Sequence, residues 1–223
     1  MGKKLNLAVL IIPFLLHSCK KDQIANIDPK FLLDLTKYSL NKRAVNDSII
    51  EYFGENKDFF IQGKYNNKLQ HKTGWWSISR KNKEMYTKIQ IFLEGDKEKN
   101  NQILRFNQNK IDTAKSKFYN LSFEYKNGRI SKAKYDFYTP KSAYHTEYAD
   151  LYYDIYIGKK SVESKKIKLK IVNDFHHSYE IDLSKYENQR NIFIGGLFVE
   201  YSFNDKKEEM GINEIFLEDS LKQ

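Results

Sequence analysis

From Asp58 onward the texture of the chain changes. Tyr, Phe, Ile and Val dominate in short runs, Asn, Gly, Lys and Asp break the runs, and apolar residues alternate with polar ones most clearly over 119–137. A strand turns successive side chains to opposite faces, so this period gathers the apolar residues on one face of a sheet; a helix would scatter them. The pattern predicts strands at 58–65, 74–80, 84–93, 102–106, 118–126, 129–138, 150–157, 165–172, 178–183, 192–203 and 212–218. The clearest hairpin is centred on Asn127-Gly128, a dipeptide suited to a two-residue turn with positive φ at both positions. Tyr119, Leu121, Phe123 and Tyr125 alternate before it, and Ala133, Tyr135 and Phe137 after it. Ile130 is out of phase, so a bulge near Ser131-Lys132 is expected. Strands that follow one another without intervening helices pair antiparallel. The expected fold class is mainly β: an antiparallel meander or sandwich-like sheet over 57–223, preceded by one or two short helices.

Those helices are expected within 29–56. Pro29 suits a first helical turn, and Phe31, Leu32, Leu35 and Tyr38 recur at helical spacing, which predicts a helix over 29–40. Ser48 and Glu51 form a capping-box pattern and Gly54 stands where a C-terminal cap belongs, which predicts a second helix over 47–53.

Residues 1–18 have the three zones of a secretory signal: Lys3 and Lys4, then an apolar run from Leu5 to Leu16 interrupted by Asn6, then a small residue, Ser18, before Cys19. The run is short of the roughly 20 apolar residues that span a bilayer, and Lys20-Lys21-Asp22 follows at once. Leu16-His17-Ser18-Cys19 resembles the lipobox of bacterial lipoproteins, with Leu16 and Ser18 as the signal-peptidase recognition positions and Cys19 as the acylated residue; His17 departs from that pattern. The ending followed by Lys, Lys and Asp is similar to lipoproteins of the Bacteroidota. The resemblance implies cleavage before Cys19, a tether over 19–28, a membrane contact made through lipid on Cys19, and residence in the cell envelope at the outer membrane, on its periplasmic or surface face.

Cys19 is the only cysteine, so the domain beyond it carries no disulfide and no thiolate metal site. The roughly 200 residues that remain suffice for a core without such staples. The formal charge of +9 is spread by Lys interleaved with acids, and no nucleic-acid-binding motif accompanies it. A nucleic-acid partner is therefore not expected.

Phe60-Ile61-Gln62-Gly63-Lys64-Tyr65-Asn66-Asn67-Lys68 followed by Thr73-Gly74-Trp75-Trp76 resembles the MORN-like hairpin units of bacterial proteins described as YwqK-type antitoxins, with Asn67 where the turn glycine would stand. Ile103 to Asp112 is a poorer second unit, so the similarity runs over about 60–112. It implies a repetitive β-meander and no particular chemistry.

Trp75 and Trp76 are neighbours on a predicted strand and should face opposite ways, one into the core and one outward as a platform for a carbohydrate or protein partner. Tyr144, Tyr148 and Tyr152, with Tyr153 and Tyr156, interleave with Glu147, Asp150 and Asp154 and form a candidate recognition surface. Asp174-Phe175-His176-His177 is expected to be a polar turn: adjacent histidines aim apart and no third ligand is spaced to join them. His71 and His145 are isolated. No nucleophile motif, phosphate loop or dinucleotide fingerprint is present. Glu124, Glu147, Asp150 and Asp154 are the carboxylates left for a glycoside hydrolase, whose pair has no fixed spacing. No catalytic residue, cofactor or metal is assigned. The sequence favours a non-catalytic, membrane-anchored binding or structural module with a protein or glycan partner. An immunity or antitoxin-like inhibitor and an envelope hydrolase without a readable motif are the alternatives.

The lipobox resemblance sets the first prediction. Cys19→Ser should abolish acylation, leave a precursor of higher mass and move the protein out of the detergent phase, as read by metabolic lipid labelling and phase partition.

Overall fold

The computed structural model describes residues 27–173 and 175–222. The signal, the recognition positions Leu16 and Ser18, the acylation site Cys19 and almost all of the 19–28 tether lie outside the described residues.

Strand accounts for 68% of the described residues and helix for 7%, so the expected mainly β class holds. A first sheet is a meander of seven strands in sequence order: β1 (Ser39–Ala44), β2 (Ile49–Glu55), β3 (Phe59–Asn66), β4 (His71–Arg80), β5 (Met85–Glu94), β6 (Lys97–Asn107) and β7 (Lys110–Ile111). The rest of the chain forms two four-stranded sheets. Their strands are β8 (Phe118–Lys126), β9 (Arg129–Tyr138), β10 (His145–Ile157), β11 (Lys160–Lys168), β12 (Ile171–Asn173), β13 (His176–Asp182), β14 (Asn191–Phe203) and β15 (Met210–Lys222). One sheet has the order β11-β10-β14-β15 and the other β12-β13-β9-β8. Every pairing is antiparallel.

There are two cores. Leu151, Ile155, Ile194, Phe198 and Leu217 of one C-terminal sheet meet Tyr135, Phe137 and Ile181 of the other, which makes a sandwich. The meander buries Tyr52, Phe59, Ile61, Trp76, Ile78 and Ile89 beneath Leu32, Leu33 and Tyr38 of the N-terminal segment. The turn between β8 and β9 has φ of 52° at Asn127 and 76° at Gly128, as the dipeptide predicts. Glu124 pairs with Lys132 and Tyr125 with Ile130, so Ser131 is the extra residue. That bulge restores phase: Ile130, Ala133, Tyr135 and Phe137 are all buried.

The helical reading of 29–56 is corrected. Only Pro29–Leu32 (α1) and a 3-10 turn at Leu35–Lys37 are helical. Asp28 caps α1 by accepting from the Lys30 amide at 2.8 Å, and the Tyr38 hydroxyl donates to the Leu32 carbonyl at 2.9 Å, which folds the segment back over the meander. The helix predicted over 47–53 is strand β2. What looked like a cap is a turn: the Asn46 side chain accepts from the amides of Ser48 and Ile49, both at 2.9 Å. Gly54 ends no helix. A β-carbon there would collide with Leu40 and Ile61, so glycine marks close approach of β1 and β3. The predicted strand over 165–172 divides into β11 and β12 around Leu169, whose side chain is buried.

Trp76 is fully buried and Trp75 is 40% exposed, as their adjacency on a strand requires. Trp76 lies over Gly63 and beside the Tyr52 ring, with centroids 6.5 Å apart. Trp76→Ala should therefore cost ~3–5 kcal/mol, while Trp75→Ala should change stability by less than about 0.5 kcal/mol. Denaturant midpoints of the two variants measure the difference.

Candidate ligand-binding face

The alternation that buries one face of β10 and β14 also fixes what the opposite face displays. Ala149, Leu151, Tyr153 and Ile155 point inward on β10, and so Tyr148, Asp150, Tyr152, Asp154 and Tyr156 point outward. Register continues the pattern across the sheet. Tyr148 pairs with Tyr201, Asp150 with Val199, Tyr152 with Leu197 and Tyr156 with Phe193. One row runs Phe216, Leu197, Tyr152, Lys166 over β15, β14, β10 and β11. At its end Phe216 stacks on Phe92 of β5, with centroids 4.3 Å apart and rings 6° from parallel, so the row continues onto the meander.

The rings are held in place by charged neighbours. Tyr148 and Tyr201 stack at 4.6 Å, with the Lys168 ammonium 5.4 Å from the Tyr148 centroid. The Lys166 ammonium lies 4.9 Å from the Tyr152 centroid and 3.1 Å from an Asp150 carboxylate oxygen. Contacts with Tyr152 and Asp150 hold Lys166 well above the ordinary lysine range. An amphipathic ring braced by a lysine keeps one orientation, which lowers the entropy lost when a ligand docks.

Tyr148 and Tyr152 thus lie on one face, together with Tyr156, Tyr201 and Phe193. Tyr144 does not join them: its hydroxyl donates to Glu209 at 2.6 Å, near the β14–β15 turn. Trp75 is on the meander, on the same outward side of β4 as Ser77. A groove of about 310 Å³ on that side is lined by Phe53, Phe60, Gln62, Ser77 and Lys88. A second cleft of about 200 Å³ opens where meander and sandwich meet, lined by Gly74, Gln90, Phe92, Asn101, Tyr119 and Phe216. Sequence reasoning missed Phe92, Phe216 and Tyr201. Their outward parity was readable, but the register that aligns them was not.

Three of the four carboxylates weighed for hydrolysis lie against lysines. Glu124 is 3.2 Å from Lys132, Glu147 is 3.1 Å from Lys207, and Asp150 holds Lys166. The histidine cluster also differs from expectation. His176 and His177 are strand residues of β13 rather than a turn. His177 is buried and 2.9 Å from Glu200; His176 is 3.1 Å from Asp136 and stacks on Tyr138. No group of three His, Cys, Asp or Glu able to hold a metal occurs among the described residues. No protein-family model matches the chain, and no curated protein matches it.

Glu163 supplies a pH test of the scaffold beneath the face. Burial alone would raise its carboxyl, but Lys165, Lys185, Tyr186 and Tyr153 all donate to it and draw it down to about 2 from the ordinary 4.5. Its stabilisation is complete above the unfolded value and is lost as pH falls from 4.5 toward about 2. Denaturant midpoints measured across that window should fall steeply in the wild type. The fall should be shallower in Glu163→Gln, which has no such carboxyl to protonate.

Proposed function

We propose that this chain is a lipid-anchored, non-catalytic binding module of the cell envelope, fixed by lipid on Cys19 at the outer membrane and holding a partner on its tyrosine face. The observation that carries the reading is the row Phe216, Leu197, Tyr152, Lys166, which Phe92 extends. Strands lie about 4.8 Å apart, so the row within the sheet alone is roughly 15 Å long. An apolar strip of that length with a cation at one end suits an extended segment, either a glycan chain or a peptide stretch of a protein. Aromatic side chains on a strand scaffold supply contact area with little freedom to lose. On the same surface Asp150 is held by Lys166, which supports binding rather than hydrolysis.

Binding of envelope polysaccharide and of envelope proteins to the chain begun at Asp22 tests the reading. Tyr152→Ala should weaken capture at least tenfold, about 1.4 kcal/mol. It should lower stability by only about 1 kcal/mol. Unchanged capture by Tyr152→Ala and Tyr148→Ala together would sink the assignment of the face.

A further inference from the structure

The aromatic row ends in the cleft of about 200 Å³ between the meander and β15. Ile89 and Ile91 are buried on β5, so Gln90 and Phe92 stand outward. Ile215 and Leu217 are buried on β15, so Phe216 and Glu218 stand outward there. These four residues line the cleft together with Gly74 and Asn101. Trp75, 40% exposed, pairs directly with Gln90 across β4 and β5. Side chains opposite one another on paired strands have β-carbons about 5 Å apart, so the exposed tryptophan adjoins the cleft. Asn101 accepts from the Phe216 amide at 2.7 Å and therefore turns its own amide to Gln90, whose Oε1 accepts at 3.0 Å. The Gln90 amide nitrogen is left as a donor without an acceptor among the described residues. Glu218 is exposed and is the one charged residue of the lining. Lys99, 5.7 Å from the Phe216 centroid, is already paired with Glu94 at 2.6 Å and Glu214 at 3.5 Å.

We infer that this cleft seats one uncharged sugar ring, which makes the partner of the tyrosine face a glycan; the inference rests on that face, whose row the cleft continues. A sugar ring has an apolar C–H face for an aromatic wall and hydroxyls that both donate and accept. The cleft has the volume of about seven waters at ~30 Å³ each, the scale of a single ring. An anion would meet the Glu218 carboxylate with no cation in the lining to offset it. An extended peptide gains most of its hold by adding a strand to an open edge. The row crosses the strands instead of following one, and at the cleft Asn101 already occupies the β15 edge, donating to the Phe216 carbonyl at 2.9 Å. A glycan lying across outward side chains needs no backbone partner.

The test uses the chain begun at Asp22, which keeps every residue of the described fold, and an array of uncharged hexose, 6-deoxyhexose and N-acetylhexosamine oligosaccharides. Binding is read by calorimetry and by tryptophan fluorescence, in which Trp75 reports and buried Trp76 does not. The wild type should bind at least one sugar series with a fluorescence change that Trp75→Ala removes. Phe92→Leu keeps an apolar side chain but loses the ring, and should weaken binding at least tenfold. Glu218→Gln changes an exposed residue and should weaken it several-fold, which keeps the test decisive if Phe92→Leu folds poorly. Tyr152→Ala should weaken long oligosaccharides and leave the monosaccharide unchanged. An array without a binder overturns the proposal, as does sugar binding that Phe92→Leu and Glu218→Gln both leave unchanged. Capture of an envelope protein that Tyr152→Ala abolishes and the cleft variants do not would sink the sugar site and leave the tyrosine face standing. Sugar binding lost in the cleft variants but indifferent to Tyr152→Ala at every chain length would uphold the cleft and sink the face.

Discussion

Three carboxamides join the two halves of the molecule. β6 bulges opposite Gln90, where Ile89 pairs with Ile103 but Ile91 with Asn100, so Asn101 and Gln102 are both left facing Gln90. Each donates its amide to Gln90 Oε1, at 3.0 and 2.9 Å. Asn101 then pairs with the backbone of Phe216, donating to its carbonyl at 2.9 Å and accepting from its amide at 2.7 Å. Gln102 accepts from the Tyr119 amide at 3.2 Å. β15 and β8 are the free edges of the two sandwich sheets at the same end. Unpaired strand edges invite pairing with another chain. One bulge therefore caps both edges at once, and Ile103 extends the seal by bridging to Lys117 in both directions, at 2.6 and 2.8 Å. The Phe92–Phe216 stack, and with it the continuity of the aromatic row, depends on this joint.

Much of the sheet was legible before the structure, because burial acts on each strand separately. The hairpin at Asn127-Gly128 and the repair of phase at Ser131 follow from local chemistry alone. The failures lie where a local signal had two meanings. Ser48, Glu51 and Gly54 fit a helix cap, yet Asn46 had already turned the chain, and Glu51 serves Arg43 and Gln62 as a cross-strand partner. Propensity is a weak prior there, and pairing with β1 and β3 overrides it.

The candidate site divides in the same way. That Trp75 and Trp76 part, and that Tyr148 and Tyr152 share a face, is a matter of parity and could be read. Which strands lie side by side could not. β14 reaches β10 across three intervening strands and brings Tyr201 to Tyr148, a contact between residues far apart in the chain.

The outward tyrosines are in turn set by inward polar groups. Glu200 is buried next to exposed-face Tyr201 on β14, and it accepts from Thr139, Thr146 and Asn213 at 2.8–3.0 Å while His177 lies at 2.9 Å. These partners come from β10, β13, β15 and the link after β9, so one carboxylate ties both sheets of the sandwich together. Burial would raise that carboxyl, yet His177, Asn213 and Thr139 draw it below its ordinary value, so it stays charged and committed to them. Asp219 shows the opposite balance: burial raises it, and only the Tyr119 and Tyr135 hydroxyls oppose the shift. An apolar residue at either place would pack without choosing a register. A slip of one residue on β14 would turn Glu200 outward and Tyr201 inward. The cost of burying Glu200 is thus coupled to the placement of Tyr201 over Tyr148, and the order of the exposed face rests on polar groups that no ligand can reach.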